Sequence, residues 1–233
     1  MSKIDFTAGL FGTLRAGAGD MWEAYVDHDF VRGVGRGDLP EECFRRFLVQ
    51  DYLYLKHFAR AYGLAVAKAT EVDDIRAAYD GLGGILEELP LHVGYCKGWG
   101  ISEAEMQAEP EADETICYTR FVIDTGMSGD LLDLMTALVP CVAGYAEVGT
   151  RLLAAPDTVF EGNPYGTWIR NYEGDEYADF VNASLATFDA LGAKFGASAR
   201  MPRLQKIFTT ATRLERDFWQ MGLNAAPLAS KAA

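Results

Sequence analysis

The stretch Pro40 to Ala69, PEECFRRFLVQDYLYLKHFARAYGLAVAKA, decides the class of fold. Within it Phe44, Phe47, Leu48, Leu55, Phe58, Tyr62 and Ala65 recur at three- and four-residue steps, which puts them on one face of an α-helix. Pro40 suits a helix start because its absent N–H would have no partner there, and Glu41 and Glu42 suit the positive end of the helix dipole. The spacing predicts a long amphipathic helix over 40–69. Asp51 breaks the apolar face: helical geometry points it inward with Phe44 and Phe58, and Tyr54 lies one step away on the same side.

Working outward, two further stripes have the same period. One is Leu131, Leu134, Leu138, Cys141, Tyr145, Val148 and Leu152, ended by Pro156; the other is Leu204, Phe208, Ala211, Glu215 and Phe218. Weaker helical patterns cover 18–31, 72–106, 112–125 and 174–196. Turn-like pieces separate some of them, notably Gly33-Val34-Gly35-Arg36-Gly37 and Gly126-Met127-Ser128-Gly129-Asp130. Alternating strand patterns are almost absent. The expectation is an all-α bundle of seven or eight helices, one domain over 1–233 with a loose tail from about 224.

With 34 acidic against 21 basic residues and a net charge of −13, the average field repels phosphate backbones and anionic lipid, and no basic patch offsets it. Nucleic-acid and membrane partners are therefore not expected. The charge-free run from Leu134 to Ala146 falls short of the roughly 18 residues a bilayer span needs. The start, Met1-Ser2-Lys3-Ile4-Asp5, lacks the features of a signal peptide. Cys43, Cys96, Cys117 and Cys141 are widely spaced with no C-x-x-C pair, which suits a reducing cytoplasm.

Polar groups on apolar stripes carry the functional signal, because a carboxylate withdrawn from water is costly without partners. Asp51 and Glu215 are candidate buried acids; their structural alternative is pairing with backbone groups or with Arg60, Arg213 or Arg216. Cys141 is either small core packing or a nucleophile, and Pro140 before it can kink its helix and shape a pocket floor. Together they describe an apolar slot for a flat heterocycle with polar groups at its edge. The glycine clusters at 33–37 and 81–84 follow no strand and read as flexible turns, not phosphate loops. Glu88 and His92 are spaced i, i+4 around Pro90, but the two Glu-x-x-His pairs of a di-iron bundle are missing; the histidines read as surface or capping residues, with no metal expected.

An ordered series of motifs adds to this reading: His28-Asp29-Phe30-Val31, Gly37-Asp38-Leu39-Pro40, Gln50-Asp51-Tyr52-Leu53-Tyr54-Leu55, Tyr118-Thr119, Leu138-Val139-Pro140-Cys141, Tyr145-Ala146-Glu147-Val148-Gly149, Trp168-Ile169-Arg170-Asn171-Tyr172 and Glu215-Arg216-Asp217-Phe218-Trp219. Through them the chain resembles the TenA proteins, the thiaminase II or aminopyrimidine aminohydrolase group, in its cysteine-containing branch. The resemblance implies a heme-oxygenase-like all-α fold, usually assembled as a homotetramer. It implies hydrolysis of thiamin-related 4-aminopyrimidines to hydroxymethylpyrimidine, in thiamin salvage, without metal or organic cofactor. It also implies roles: Cys141 as nucleophile, Glu215 as proton donor and acceptor, Asp51 at the aminopyrimidine edge, and Tyr54, Tyr118, Tyr145 and Tyr172 around the ring. The first motif usually reads His-Pro-Phe-Val, and Asp29 departs from it. Two other readings of the same bundle are a non-catalytic pyrimidine- or heme-binding scaffold and a metal-dependent oxidase.

If the nucleophile reading holds, an apolar stripe should raise the Glu215 pKa toward neutrality, so that one carboxyl both gives and takes protons, while Asp51 stays charged.

Overall fold

The structure, a computed structural model, describes residues 4–225. Eleven helices, and no strand, are found among them: α1 Gly9–Ala18, α2 Asp20–Val26, α3 Asp29–Arg36, α4 Glu41–Lys68, α5 Val72–Gly98, α6 Glu103–Ala108, α7 Asp113–Ser128, α8 Leu131–Ala154, α9 Gly166–Arg170, α10 Asp175–Lys194 and α11 Ala197–Leu223. The all-α expectation holds; of the extra helices, two arise where the patterns over 18–31 and 72–106 each merged two neighbours, and α1 and α9 lie where the sequence reading placed no helix.

The pattern over 18–31 is two short helices, because α2 stops at Asp27 and His28 caps the next: its Nδ1 accepts from the Phe30 N–H at 3.2 Å. Asp29, the departure from the motif, is the first residue of α3, where an acid favours the helix dipole. The pattern over 72–106 divides at Gly100, whose φ of 73° is left-handed, and Ser102 then opens α6 with a capping box to Glu105. Neither glycine cluster is a flexible turn. Gly81 to Gly84 lie within α5, and Gly33 and Gly35 lie within α3, which Gly37 ends in the left-handed conformation. Gly126 is likewise helical, within α7. Residues 226–233, which hold most of the expected tail, lie outside the described residues.

Three long helices build the core. The inward stripe of α4 is buried from Phe44 to Ala65, and α4 packs against α5 and α7. α11 lies across α8, α2, α1, α7 and α4, so it is the element that closes the bundle. α8 is buried along most of its length and runs on through Pro140. It is long and apolar enough to cross a membrane by length and composition, but 83% of its most apolar window is inside the bundle, so its apolarity is accounted for by core packing.

Two buried acids tie α8 to its neighbours. Glu147 accepts from Arg15 at 2.7 and 2.8 Å, from the Trp22 indole at 2.9 Å and from Arg151. At the other end, Asp133 accepts from Arg200 and Arg203. Both acids are saturated with structural partners and so face no open space.

Candidate active site

Helical periodicity aims side chains from five elements at one place inside the bundle. Cys141 and Tyr145 come from α8, Glu215 from α11, Asp51 and Tyr54 from α4, Tyr118 from α7, and Tyr172 from the turn after α9. Tyr172 gets there because residue 149 is glycine: a Cβ at Gly149 would occupy the space of the Tyr172 side chain. The rings interlock. Tyr54 stacks on Tyr118 with centroids 4.9 Å apart, Tyr145 lies 6.1 Å from Tyr172, and Tyr172 meets Tyr177 of α10 edge-on at 5.3 Å.

Glu215 is buried, and the Tyr118 hydroxyl donates to its Oε1 at 2.7 Å. Burial pushes Glu215 up to about 8; the Tyr118 bond and the neighbouring Cys141 thiol oppose the rise, and the charge of Asp51 adds to it. The Cys141 thiol is held well above its ordinary value, first by burial and then by the charge of Glu215, with the Tyr54 hydroxyl partly offsetting both. It is therefore a neutral thiol at rest. Burial holds Tyr54, Tyr118, Tyr145 and Tyr172 protonated too. The buried Tyr54 hydroxyl lies beside Cys141 and Tyr118, near enough to both to affect their ionisation.

Asp51 takes neither of the structural alternatives weighed for it. Its partner is His92 of α5, with Nε2 2.6 Å from Asp51 Oδ2, both side chains nearly inaccessible. Of the arginines considered, Arg60 meets His57, and Arg213 and Arg216 meet Asp217. His92 is thus a buried ion-pair member, neither a surface nor a capping residue. Its Nδ1 faces the Glu88 backbone carbonyl at 3.3 Å. Burial alone would lower its pKa, but the hydrogen bond and charge of Asp51, with Glu88, outweigh burial and lift it to about 9.

Glu88, His92 and Tyr177 were not among the sequence-predicted site residues. The available signal was the Glu88–His92 spacing itself, which places both on one face of α5; what hid it was the proline between them. The same face of α5 brings Glu88, Asp51 and His92 within 4.8 Å of one another by one ligand atom each, and these are the described residues with the spacing to hold a metal ion. Here the His92 nitrogen is engaged with Asp51. A separate groove, lined by Tyr62, Asp74, Gly81, Met135 and Phe180 among others, includes none of Cys141, Glu215 and Asp51.

Chemically the site offers a thiol, a carboxyl that titrates near the thiol, a fixed carboxylate, and aromatic walls. That set can stack a flat ring, add sulfur to it and relay a proton.

Comparison with known proteins gives the family and the fold. Residues 16–225 match the TENA/THI-4/PQQC family. An aminopyrimidine aminohydrolase of Halalkalibacterium halodurans is 36% identical over 95% of this chain and 96% of its own, and an uncharacterized protein of Haemophilus influenzae is 40% identical over 88% and 94%. A crystal structure described as a TenA family transcription regulator, from Silicibacter sp. TM1040, superposes with a TM-score of 0.86 at 44% identity, covering 92% of this chain and 96% of that one. The shared architecture is the heme-oxygenase-like all-α bundle that the sequence led us to expect.

Proposed function

Since this chain belongs to the TENA/THI-4/PQQC family, we propose that it is an aminopyrimidine aminohydrolase that converts a thiamin-derived 4-amino-5-aminomethylpyrimidine to the hydroxymethylpyrimidine. The observation that carries the reading is that Cys141, Glu215 and Asp51 lie close enough inside the bundle to affect one another's ionisation, beside buried tyrosines. The named hydrolase of Halalkalibacterium halodurans, similar end to end, supports it.

The proton inventory closes on these residues. Glu215, as carboxylate, takes the thiol proton while sulfur adds to an electron-poor ring carbon. It then passes that proton to the departing amine as the C–N bond on the exocyclic methylene breaks. Water adds to the methylene and gives a proton to Glu215. The C–S bond breaks, and the sulfur takes that proton back. Asp51 holds the amino edge throughout, and Tyr54, facing the sulfur, can donate to the thiolate as it forms. Glu215 acting as base on a neutral thiol replaces a thiolate that waits preformed, because burial disfavours the anion at position 141.

We also infer a cytoplasmic homotetramer. The four cysteines are all free among the described residues, and α5 presents Val72, Ile75, Tyr79 and Leu86 to solvent at heptad-like spacing, an apolar stripe suited to a second copy.

The deciding experiment is ammonia release from 4-amino-5-aminomethyl-2-methylpyrimidine, compared with thiazole release from thiamin. Faster turnover of the aminomethyl compound is expected; turnover of neither would end the reading.

A further inference from the structure

We propose that Glu88 is a second ring-reading carboxyl: as the neutral acid it donates to the ring nitrogen beside the amino group of a bound aminopyrimidine, while Asp51 accepts from the amino group itself. The inference rests on the aminopyrimidine reading above and adds to it the residue that selects the ring's edge.

An aminopyrimidine presents an amidine edge, with a donor amino group next to an acceptor nitrogen, so its site must supply one acceptor and one donor side by side. Asp51 cannot supply both. One of its oxygens, Oδ2, is taken by His92. Both His92 nitrogens face groups that only accept, the Asp51 carboxylate and the Glu88 carbonyl, so the ring must carry both protons to satisfy them. The ring's N–H on Asp51 Oδ2 leaves Oδ1 as an acceptor for the amino group. The donor has to come from elsewhere.

Glu88 is placed to be that donor. A carboxyl oxygen of Glu88 lies within 4.8 Å of the Asp51–His92 pair, a spacing that suits neighbouring positions on one ring edge. Among the described residues its carboxyl makes no hydrogen bond, and the side chain is half-buried. Five titratable groups face it: Asp51 from α4, His92 from α5, Cys141 from α8, Tyr172 from the turn after α9, and Tyr177 from α10. Burial keeps the thiol and both tyrosines protonated, and His92 stays charged to about 9. Burial also raises Glu88 itself to about 7, with His92 opposing and Asp51 adding. On this side of the site Glu88 is the group that changes protonation near neutrality, while Glu215 titrates beside Tyr118.

A 4-oxopyrimidine reverses both positions, offering an acceptor to Asp51 and an N–H to Glu88. The arrangement should reject it by at least about a hundredfold in affinity. Glutamine at 88 keeps a donor at every pH, whereas alanine removes it.

The test measures, by calorimetry from pH 6 to 8, the Kd of 4-amino-5-hydroxymethyl-2-methylpyrimidine and of its 4-oxo counterpart for wild type, Glu88→Gln and Glu88→Ala. Wild-type affinity should fall by roughly tenfold over that range relative to Glu88→Gln, a ratio in which titration of the ligand cancels. Glu88→Ala should bind weakly at pH 6 and discriminate less against the oxo ring. If Glu88→Gln follows the wild-type pH profile, or Glu88→Ala binds as tightly as wild type, the assignment of Glu88 is wrong. If Glu88→Ala does not fold, the glutamine comparison alone decides. Wild type that binds neither ring overturns the aminopyrimidine reading and this inference with it; wild type that binds the amino ring indifferently to position 88 overturns only the inference.

Discussion

The Tyr118 hydroxyl donates to Glu215 Oε1 at 2.7 Å inside the bundle, joining α7 to α11 at the group that titrates beside Cys141. The bond stabilises the charged form of Glu215 and so works against burial, which has already raised that carboxyl to about 8. If Glu215 must be a carboxylate to take the thiol proton, turnover should rise with pH through about 8. Tyr118→Phe removes a group that holds the value down, so the rising limb should move to higher pH. A kcat–pH profile checks this: an unmoved limb in Tyr118→Phe would detach Glu215 from the rate.

Cys141→Ala should lower kcat by at least about a thousandfold, because removing a covalent nucleophile leaves only positioning and proton transfer. Binding of the hydroxymethylpyrimidine product should stay within a few-fold of wild type. A variant that keeps a tenth of the wild-type rate would show that sulfur forms no bond in the reaction.

The Asp51–His92 pair predicts a pH dependence of stability with a definite sign. His92 has a folded value of about 9 against an ordinary 6.5, so its contribution is complete below 6.5 and is lost as pH rises through 9. Urea unfolding of wild type should give a lower free energy at pH 9.5 than at 6.5, by a few kcal/mol, since each tenfold gain in proton affinity on folding is worth about 1.4 kcal/mol. His92→Gln should remove part of that slope, the remainder coming from the buried Glu88 and Glu215 carboxyls, whose values are raised to about 7 and about 8. In Asp51→Asn the imidazolium loses its partner, and both ligand affinity and stability should fall, the latter by about 3 kcal/mol; unchanged affinity in this variant would remove Asp51 from the ring edge.

Gly149→Ala tests how Tyr172 is placed. The added methyl falls on the Tyr172 side chain, so the ring must shift away from Tyr145. KM should rise several-fold and the melting temperature should fall, since the methyl meets the Cβ and Cγ of Tyr172 and only movement of backbone relieves it. Unaltered KM would mean that Tyr172 does not touch the ring.

The amino-acid sequence by itself determined the class of architecture and the candidates. The apolar period of α4, α8 and α11 is local and strong, so it survives without knowledge of neighbours; for the same reason Asp51, Cys141 and Glu215 stood out as polar interruptions of inward faces. Helix ends were less legible where a cap is one residue long, as at His28 and Gly100, and glycines within α3 and α5 looked like turns because packing, which compensates their poor helix propensity, cannot be seen locally. Only the tertiary structure decided the partners. His92 and Asp51 lie on different helices, and it is the docking of α5 on α4 that turns a histidine read as a surface or capping residue into a buried cation and leaves Glu88 beside it without a hydrogen bond. Burial and charge at a point are sums over every element that surrounds it, so no pattern along one helix can reveal them.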